Sequence, residues 1–369
     1  MAGEPVRLFL CGDVMLGRGI DQILPYPGEA ELRESYVRDA AHYVRAAERH
    51  AGPLPGHPGF AWPWGEALAE IDTRAPHVRV INLENAVTRA RSFLPGKSVH
   101  YRMNPDNIPS LQAVRPDACV LANNHILDFG ARGLRETLAT LRGAGLPYAG
   151  AGTDAASARA AVTADLGALG RVVVAGYGAG CSGIPDSWAA TAHRPGVNML
   201  PDLSAATAAS VVDGLAETSG PEDVVVASIH WGSNWGYEIP RAQVRFAHRL
   251  VDGGVDIVHG HSSHHPRGIE IYRGRLILYG CGDCVNDYEG IPGHDNYRDV
   301  LRLLYFADLE PRNGRLRHLR MVPLRSHRLR LRRATPEETR WLHRALSEAS
   351  AAFRTRVQLD DDGTLSITG

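Results

Sequence analysis

The chain has 369 residues, 44% of them apolar, enough to bury the core of one large or two modest domains. Lys and Arg total 40 against 41 Asp and Glu, and the formal net charge of -1 excludes a global electrostatic drive toward nucleic acid or an anionic membrane surface. Lys97 is the only lysine among many arginines, a bias read as genome composition rather than function.

The first predicted element is a strand at Val6–Leu10, leading into Gly12-Asp13. The start, MAGEPVRLFLCGD, has no charged leader followed by a long apolar stretch, and no run of about 18 apolar residues occurs anywhere. A soluble, cytoplasmic protein without membrane contact is therefore expected. Residues 22–66 read as a flap-like excursion from the sheet, with a charged helix candidate at Glu29–His50 and the loop GPLPGHPGFAWPWG. A strand at Val78–Ile81 delivers Asn82 and Glu84, and one at Ala118–Leu121 delivers Asn124 and His125. Leu134, Leu138 and Leu141 recur at helical spacing, and Gly143 and Gly145 end that helix. A strand at Val172–Ala175 opens a Gly-rich loop to Ser182; a helix over 205–217 and a strand at Val224–Ile229 follow. A helix over 241–252 turns Val244, Ala247 and Val251 inward. Strands at Asp256–Val258 and Leu276–Tyr279 then give the histidine cluster and Gly280-Cys281-Gly282-Asp283.

The tail differs. LRLLYFADLE and LRHLRMVPL flank Pro311-Arg312-Asn313-Gly314 and read as a hairpin. Thr335-Pro336-Glu337-Glu338 is a capping box with proline at the first helical position, opening a helix to about Phe353. The expected fold class is α/β, two sheets packed together and flanked by helices, as a single domain with a C-terminal β hairpin and helix. Residues 1–305 form its body and 306–369 the hairpin and helix packed on it.

The chemistry gathers at strand ends. Cys11-Gly12-Asp13, Asn82-Leu83-Glu84, Asn123-Asn124-His125, His230-Trp231-Gly232 and Gly260-His261-Ser262-Ser263-His264 each follow a short apolar run. Such loops are where an α/β sheet collects its ligands. Singly, Asp13 is a turn former, Asn124 a cap and His230 a satisfied core histidine. Together, Asp13, Glu84, Asn124, His230, His261 and His264 are the convergent oxygen and nitrogen donors that a divalent ion requires. One or two ions are expected, and the donor set suits Mn, Fe, Zn, Co or Ca.

GDVMLGR, INLENAVT, LANNHILDFG, IHWG and GHSSH, spread from about Leu8 to Tyr305, resemble the CapA family, named for poly-γ-glutamate capsule synthesis. That family resembles the calcineurin-type metallophosphoesterases. The resemblance implies a four-layer α/β/β/α sandwich and a dinuclear centre. Glu84 would bridge the ions, Asn124, His230 and His261 would complete one site, and Asp13 and His264 would hold the other. His125 matches a histidine that stands near the metals as proton donor. Three departures stand out. Met15 occupies the position where the phosphoesterase pattern has a histidine, and a thioether is a poor ligand for a hard ion, so the Asp13 site is expected to be weaker or empty. Ser262 stands where many members have another histidine. The membrane anchor common in capsule-type members has no counterpart here.

His294 lies in Gly290-Ile291-Pro292-Gly293-His294, a loop expected to return toward the metal face, where it reads either as an acid/base or as a solvated loop residue. Arg18 is a candidate anion contact, Trp231 and Trp235 candidate walls of a substrate pocket, and Asp283, with Asp287, a candidate contact to ligands or substrate. Cys281-Gly282-Asp283-Cys284 has C-x-x-C spacing but neither a helix start nor a second cysteine pair to make it redox-active or zinc-binding. Five cysteines along so long a chain do not suggest a disulfide framework. Arg325–Arg333 alternates basic and apolar residues and reads as a charged edge strand.

Three functions remain open. The first is a metal-dependent epimerase inverting the Cα of the C-terminal residue of a lasso-type precursor peptide, which one branch of this fold resembles. Asp13 and His294 would be its acid/base pair, with His125 in reserve. The second is a hydrolase or transferase, a phosphoesterase or an enzyme of poly-γ-glutamate, with His125 assisting the leaving group. The third is a non-catalytic peptide-binding assembly protein, which would bind peptide equally well after Glu84→Ala.

Overall fold

The computed structural model describes residues 4–56 and 58–369, so Met1–Gly3 and, within the Pro/Gly-rich loop, His57 lie outside the described residues. Two large sheets dominate a mixed α/β architecture. In the first, Val6–Val14 pairs in parallel with Val78–Leu83, which pairs in parallel with Ala118–Val120. On its other side Val6–Val14 runs antiparallel to Leu301–Leu309, which forms a hairpin with Leu316–Ser326. The 305/306 boundary therefore falls inside a strand paired with the first strand of the chain. In the second sheet Arg171–Ala179, Val224–His230, Ile257–His261 and Arg275–Leu278 are all parallel.

Val-, Ile- and Leu-rich runs make these strands because both of their faces are buried. Leu8, Val80 and Leu303 of the first sheet share one core with Val174, Val226 and Leu276 of the second. The outer face of the second sheet, with Ala227 and Val258, is covered by helices Ala205–Ala216 and Arg241–Asp252. Helix Gly130–Gly143 turns Leu134, Leu138 and Leu141 onto the outer face of the first. Thr335 and Glu338 form the expected reciprocal cap of helix Pro336–Ser350, which a 3₁₀ turn extends to Phe353.

Three local expectations change. The Glu29–His50 helix shortens to Ala41–Ala51. Before it, Glu31 and Asp39 form an isolated bridge, and Leu32, Val37 and Ala40 close around Tyr43 as a small separate core. Part of the 22–66 excursion is packed tightly: Trp64 is fully buried and its indole N–H donates to the Ser110 carbonyl at 2.7 Å. Arg325–Arg333 is a tight turn rather than one edge strand. Leu331–Arg333 folds back on Leu316–Ser326, and the turn residues Arg328 and Leu329 have φ of 59° and 50°. Their backbone N–H groups donate to the buried Glu289 carboxylate at 2.9 and 2.8 Å, which holds the turn. No helix among the described residues is long and apolar enough to cross a membrane.

Candidate metal centre

Strand register builds the site. Asp13 lies opposite Asn82 on one side and Asp283 on the other, because the short strand Asp283–Val285 pairs in parallel with the end of the first strand. In the second sheet His230 lies opposite His261. The approach at Asp13 is close enough that a Cβ on Gly12 would stand 1.6 Å from the Gly282 carbonyl oxygen, and Gly282 has φ +75°; both positions need glycine. Ser262 carries φ 104°, a strained value for a residue with a side chain, and this aims its N–H at Asp13 Oδ2, 3.3 Å away.

The donors form two overlapping groups, Asp13 with His230 and His261, and Asp13 with His264 and Asp283; within each the ligand atoms lie within 4.8 Å of one another. Glu84 Oε1 stands 3.8 Å from His230 Nε2, and Asn124 Oδ1 3.2 Å from the same nitrogen. All six residues expected as ligands thus meet at one place, joined by Asp283, which the sequence had suggested as a contact and which here is buried and accepts or shares a hydrogen bond with His264 Nδ1 at 2.9 Å.

The proton inventory favours a cation. The Cys11 carbonyl can only accept, so His259 Nε2, 2.9 Å away, carries its proton and His259 Nδ1 is bare. Ser228 Oγ donates to that Nδ1 at 3.0 Å, and so accepts from His261 Nε2–H at 3.0 Å. His261 Nδ1 is therefore a lone pair, and it faces His230 Nδ1 at 2.8 Å. Lone pairs of His261, Asn124 and Glu84 thus converge around His230. Burial lowers the pKa of both His230 and His261 well below the usual imidazole range, so both are neutral and ready to ligate.

The carboxylates show the complementary stress. Burial, reinforced by the Asp283 charge, pushes Asp13 up to about 7. Burial and the Asp13 charge push Glu84 well above the usual carboxylate range. Burial also opposes a charge on His264, but the adjoining Asp283 carboxylate outweighs it and raises that imidazole. Buried acids crowded in this way are relieved by a divalent ion. The residues present therefore fit the one or two ions that the strand-end pattern implies.

Several supports were not legible as such. Asn82 donates from Nδ2 to Asp13 Oδ1 at 2.7 Å and to Glu84 Oε2 at 3.2 Å, bridging the two acids, and receives Asn123 Nδ2 on its own Oδ1 at 3.1 Å. His125 Nε2 stands 3.9 Å from Glu84 Oε1, while Nδ1 is held by Asp128 Oδ2 at 2.7 Å. Burial and the neighbouring Lys97 charge lower His125 to about 4. Asp128 was foreshadowed only as the fourth residue after Asn124 in LANNHILDFG.

The remaining candidates are distributed differently. Arg18 is enclosed, ion-paired with Asp287 and with Glu34 at 2.8 Å, its guanidinium 3.9 Å over the Tyr43 ring; it ties the chain together beside the site. Trp231 is 1% exposed, stacks with Tyr279 and donates to the Tyr279 carbonyl at 3.1 Å, so it belongs to the core. Trp235 is half-buried at the rim, 5.3 Å from His264, and His294 lies exposed on its face with ring centroids 3.7 Å apart. Cys281 and Cys284 are buried, and all five cysteines are free.

A centre of carboxylates, an amide and histidines on the strand ends of an α/β fold defines a metal-dependent, hydrolase-like class of protein. Comparison with known proteins places the chain within it: residues 7–288 match the model of the bacterial capsule synthesis protein family PGA_cap, and the chain belongs to that family. It is 51% identical to a probable polyglutamine synthesis accessory protein of Mycobacterium tuberculosis over 100% of this chain and 97% of that one. It is 29% identical to the PGA biosynthesis protein CapA of Bacillus subtilis, over 75% of this chain and 62% of that one. Against the capsule biosynthesis protein CapA of Bacillus anthracis the figures are 25%, 77% and 60%.

Proposed function

We propose that the protein is a metal-dependent hydrolase or transferase acting on the amide bonds of a glutamyl-type polymer, on a fold we read as the four-layer α/β/β/α sandwich of metallophosphoesterases. The observation that carries this reading is the meeting of Asp13, Glu84, Asn124, His230, His261, His264 and Asp283 at one spot, with His125 beside them. The names of its relatives, a polyglutamine synthesis accessory protein and CapA proteins, support the polymer as substrate.

Asp13, Glu84, Asn124, His230 and His261 would hold one ion, and Asp13, His264 and Asp283 a second. Bound there, such an ion supplies Lewis acidity toward a carbonyl oxygen and eases deprotonation of water. The chain's own residues do the rest. Asp128 fixes the His125 ring from behind through Nδ1–H, so that a bare Nε2 faces the Glu84 side of the centre, where it can take a proton from the attacking water and then pass it to the departing amine. Asn82 keeps the Asp13 and Glu84 carboxylates apart and aimed. Trp235 and His294 form an aromatic rim against which a polymer chain would lie.

One observation favours a second reading, the epimerase of a precursor peptide. His294 is an exposed imidazole on the His264 side of the centre, while His125 stands on the Glu84 side, so Asp13 or His125 could face His294 across a Cα. A single experiment separates the readings. The Mn²⁺-loaded protein is incubated with poly-γ-glutamate oligomers, and with peptides bearing a free C-terminal carboxylate, in H₂¹⁸O and in D₂O, and products are read by mass spectrometry. Shortened chains carrying ¹⁸O, or a redistributed length without it, are expected. Deuterium at Cα with unchanged length would replace the proposal by epimerisation. Intact, unlabelled chains bound equally well after Glu84→Ala would replace it by a binding role.

A further inference from the structure

The chain meets its need for cations with arginine everywhere but at one position, and that position lies behind the metal centre. Lys97 sits in the irregular segment between Val87 and Arg102, which is stitched to Asp128 at two points: Leu94 N–H donates to the Asp128 carbonyl at 2.8 Å and Tyr101 N–H to Asp128 Oδ2 at 2.7 Å. From there the ammonium donates to the Asp128 carboxylate and the Asn124 backbone carbonyl, and it stands 3.0 Å from His125 Nδ1, whose own proton goes to Asp128 Oδ2. The Trp188 ring, from the other sheet's loops, covers it at 5.4 Å, and the side chain is 19% exposed.

The choice of residue follows from geometry. Two acceptors, the Asp128 carboxylate and the Asn124 carbonyl, converge on a single point beside the His125 ring and suit an ammonium, a compact charge whose donors spread from one atom; a planar guanidinium fork reaches outward along fixed directions and cannot meet both from one atom. The groups so joined are the two halves of what the centre uses. Asn124 offers Oδ1 beside His230 Nε2, and His125 offers Nε2 toward Glu84. Asn124 is only half-buried, and its backbone carbonyl is held by Lys97.

We propose that Lys97 is a positioning residue of the metal centre, locking the Asn124–His125 backbone and the Asp128 carboxylate into one unit so that Asn124 Oδ1 and His125 Nε2 keep their aim. The proposal rests on the reading that this centre binds a divalent ion. Groups that orient metal ligands from behind typically change metal affinity about 10- to 100-fold when removed.

The test is Mn²⁺ binding by titration calorimetry to the full chain, as wild type, Lys97→Met, Lys97→Arg and Lys97→Ala, the last with and without ethylammonium. Lys97→Met and Lys97→Arg are expected to bind about 10- to 100-fold more weakly. Ethylammonium should restore part of the loss in Lys97→Ala, a rescue that a purely structural side chain would not show. Tight binding by wild type matched within about twofold by Lys97→Met overturns the Lys97 role alone; no binding by wild type overturns it together with the metal reading. Should the variants fail to fold, the unique ε-amine gives an independent readout. Reductive ¹³C-methylation of the wild type is expected to be at least about tenfold slower in the folded protein than in urea, and equal rates overturn the proposal.

Discussion

Removing the charge at Asp13 should stabilise the metal-free protein while abolishing its response to metal. Asp13 is fully buried, and its carboxyl is pushed from the ordinary 3.8 to about 7, chiefly by burial and then by Asp283. Because the folded-state value is raised, the folded protein holds this proton more tightly than the unfolded chain. Its contribution is complete below the unfolded value of 3.8 and is lost as pH rises through about 7. A shift of roughly three units at about 1.4 kcal/mol each sets the scale, about 4 kcal/mol, shared in part with Glu84. Asp13→Asn removes that cost. It also gives up an acceptor for the Ser262 N–H, a 3.3 Å bond worth about 1 kcal/mol. The expected net gain is about 3 kcal/mol at pH 8 in EDTA, shrinking to nothing or a slight loss near pH 4. Urea denaturation at both pH values measures it. Added Mn²⁺ at 100 times its dissociation constant should raise wild type by about 2.7 kcal/mol and leave Asp13→Asn nearly unchanged. A difference that is the same at pH 4 and pH 8, or an Asp13→Asn protein less stable at pH 8 in EDTA, would refute the reasoning.

Other outcomes follow from the same contacts. Asn124→Ala and His230→Ala should each lower Mn²⁺ affinity by at least about tenfold, read as metal retained after gel filtration by elemental analysis. Trp235→Ala withdraws the ring beneath His294 and should raise KM or lower turnover on the oligomers without changing metal content; parallel loss of metal would place Trp235 in the support of His264 instead. Glu289→Gln replaces one of the two acceptors serving the Arg328 and Leu329 N–H groups with a donor, and should cost about 2 kcal/mol by the shift in urea midpoint.

The sequence made the ligands legible because each stands directly after an apolar run, and a strand end is a local feature. Their supports are not local. Asn82 is legible as a strand-end residue, but its bridge between Asp13 and Glu84 depends on strand pairing; Ser228 lies hidden within a strand, and His259 is two residues before a ligand, where period-two alternation puts both on one face. Asp283 enters the donor group only through a three-residue parallel pairing with the first strand, too short for periodicity to announce. Arg18 is close to Asp13 in sequence, but its φ of 48° folds it back toward Glu34 and Asp287, partners 16 and 269 positions away. Trp231 follows a ligand and yet points to the core, since adjacent residues of a strand face opposite sides. The Glu29–His50 segment is charged enough for a surface helix, but Leu32, Val37 and Ala40 gather around Tyr43 instead of lining one helical face.

Met15 raises the question of how the Asp13 side could hold an ion without its usual histidine. Met15 itself is 1% exposed, with its N–H donating to the Val285 carbonyl at 2.8 Å, so it stays in the core, and the third donor grouped with Asp13 and His264 is Asp283 of the neighbouring strand. An acid in that donor group shapes the proton balance. His264 is raised by Asp283, Asp13 reaches about 7, and Glu84 lies well above the carboxylate range, so these groups carry protons near neutrality that an ion must displace. His125, His230 and His261, all lowered, carry none. Metal binding should therefore release more than one proton per protein at pH 6.5, and affinity should climb between pH 6 and 8. Titration calorimetry in two buffers of different ionisation enthalpy counts the protons directly. A count near zero would mean that the acids are already ionised in the metal-free protein, and that some other cation than the incoming ion balances them.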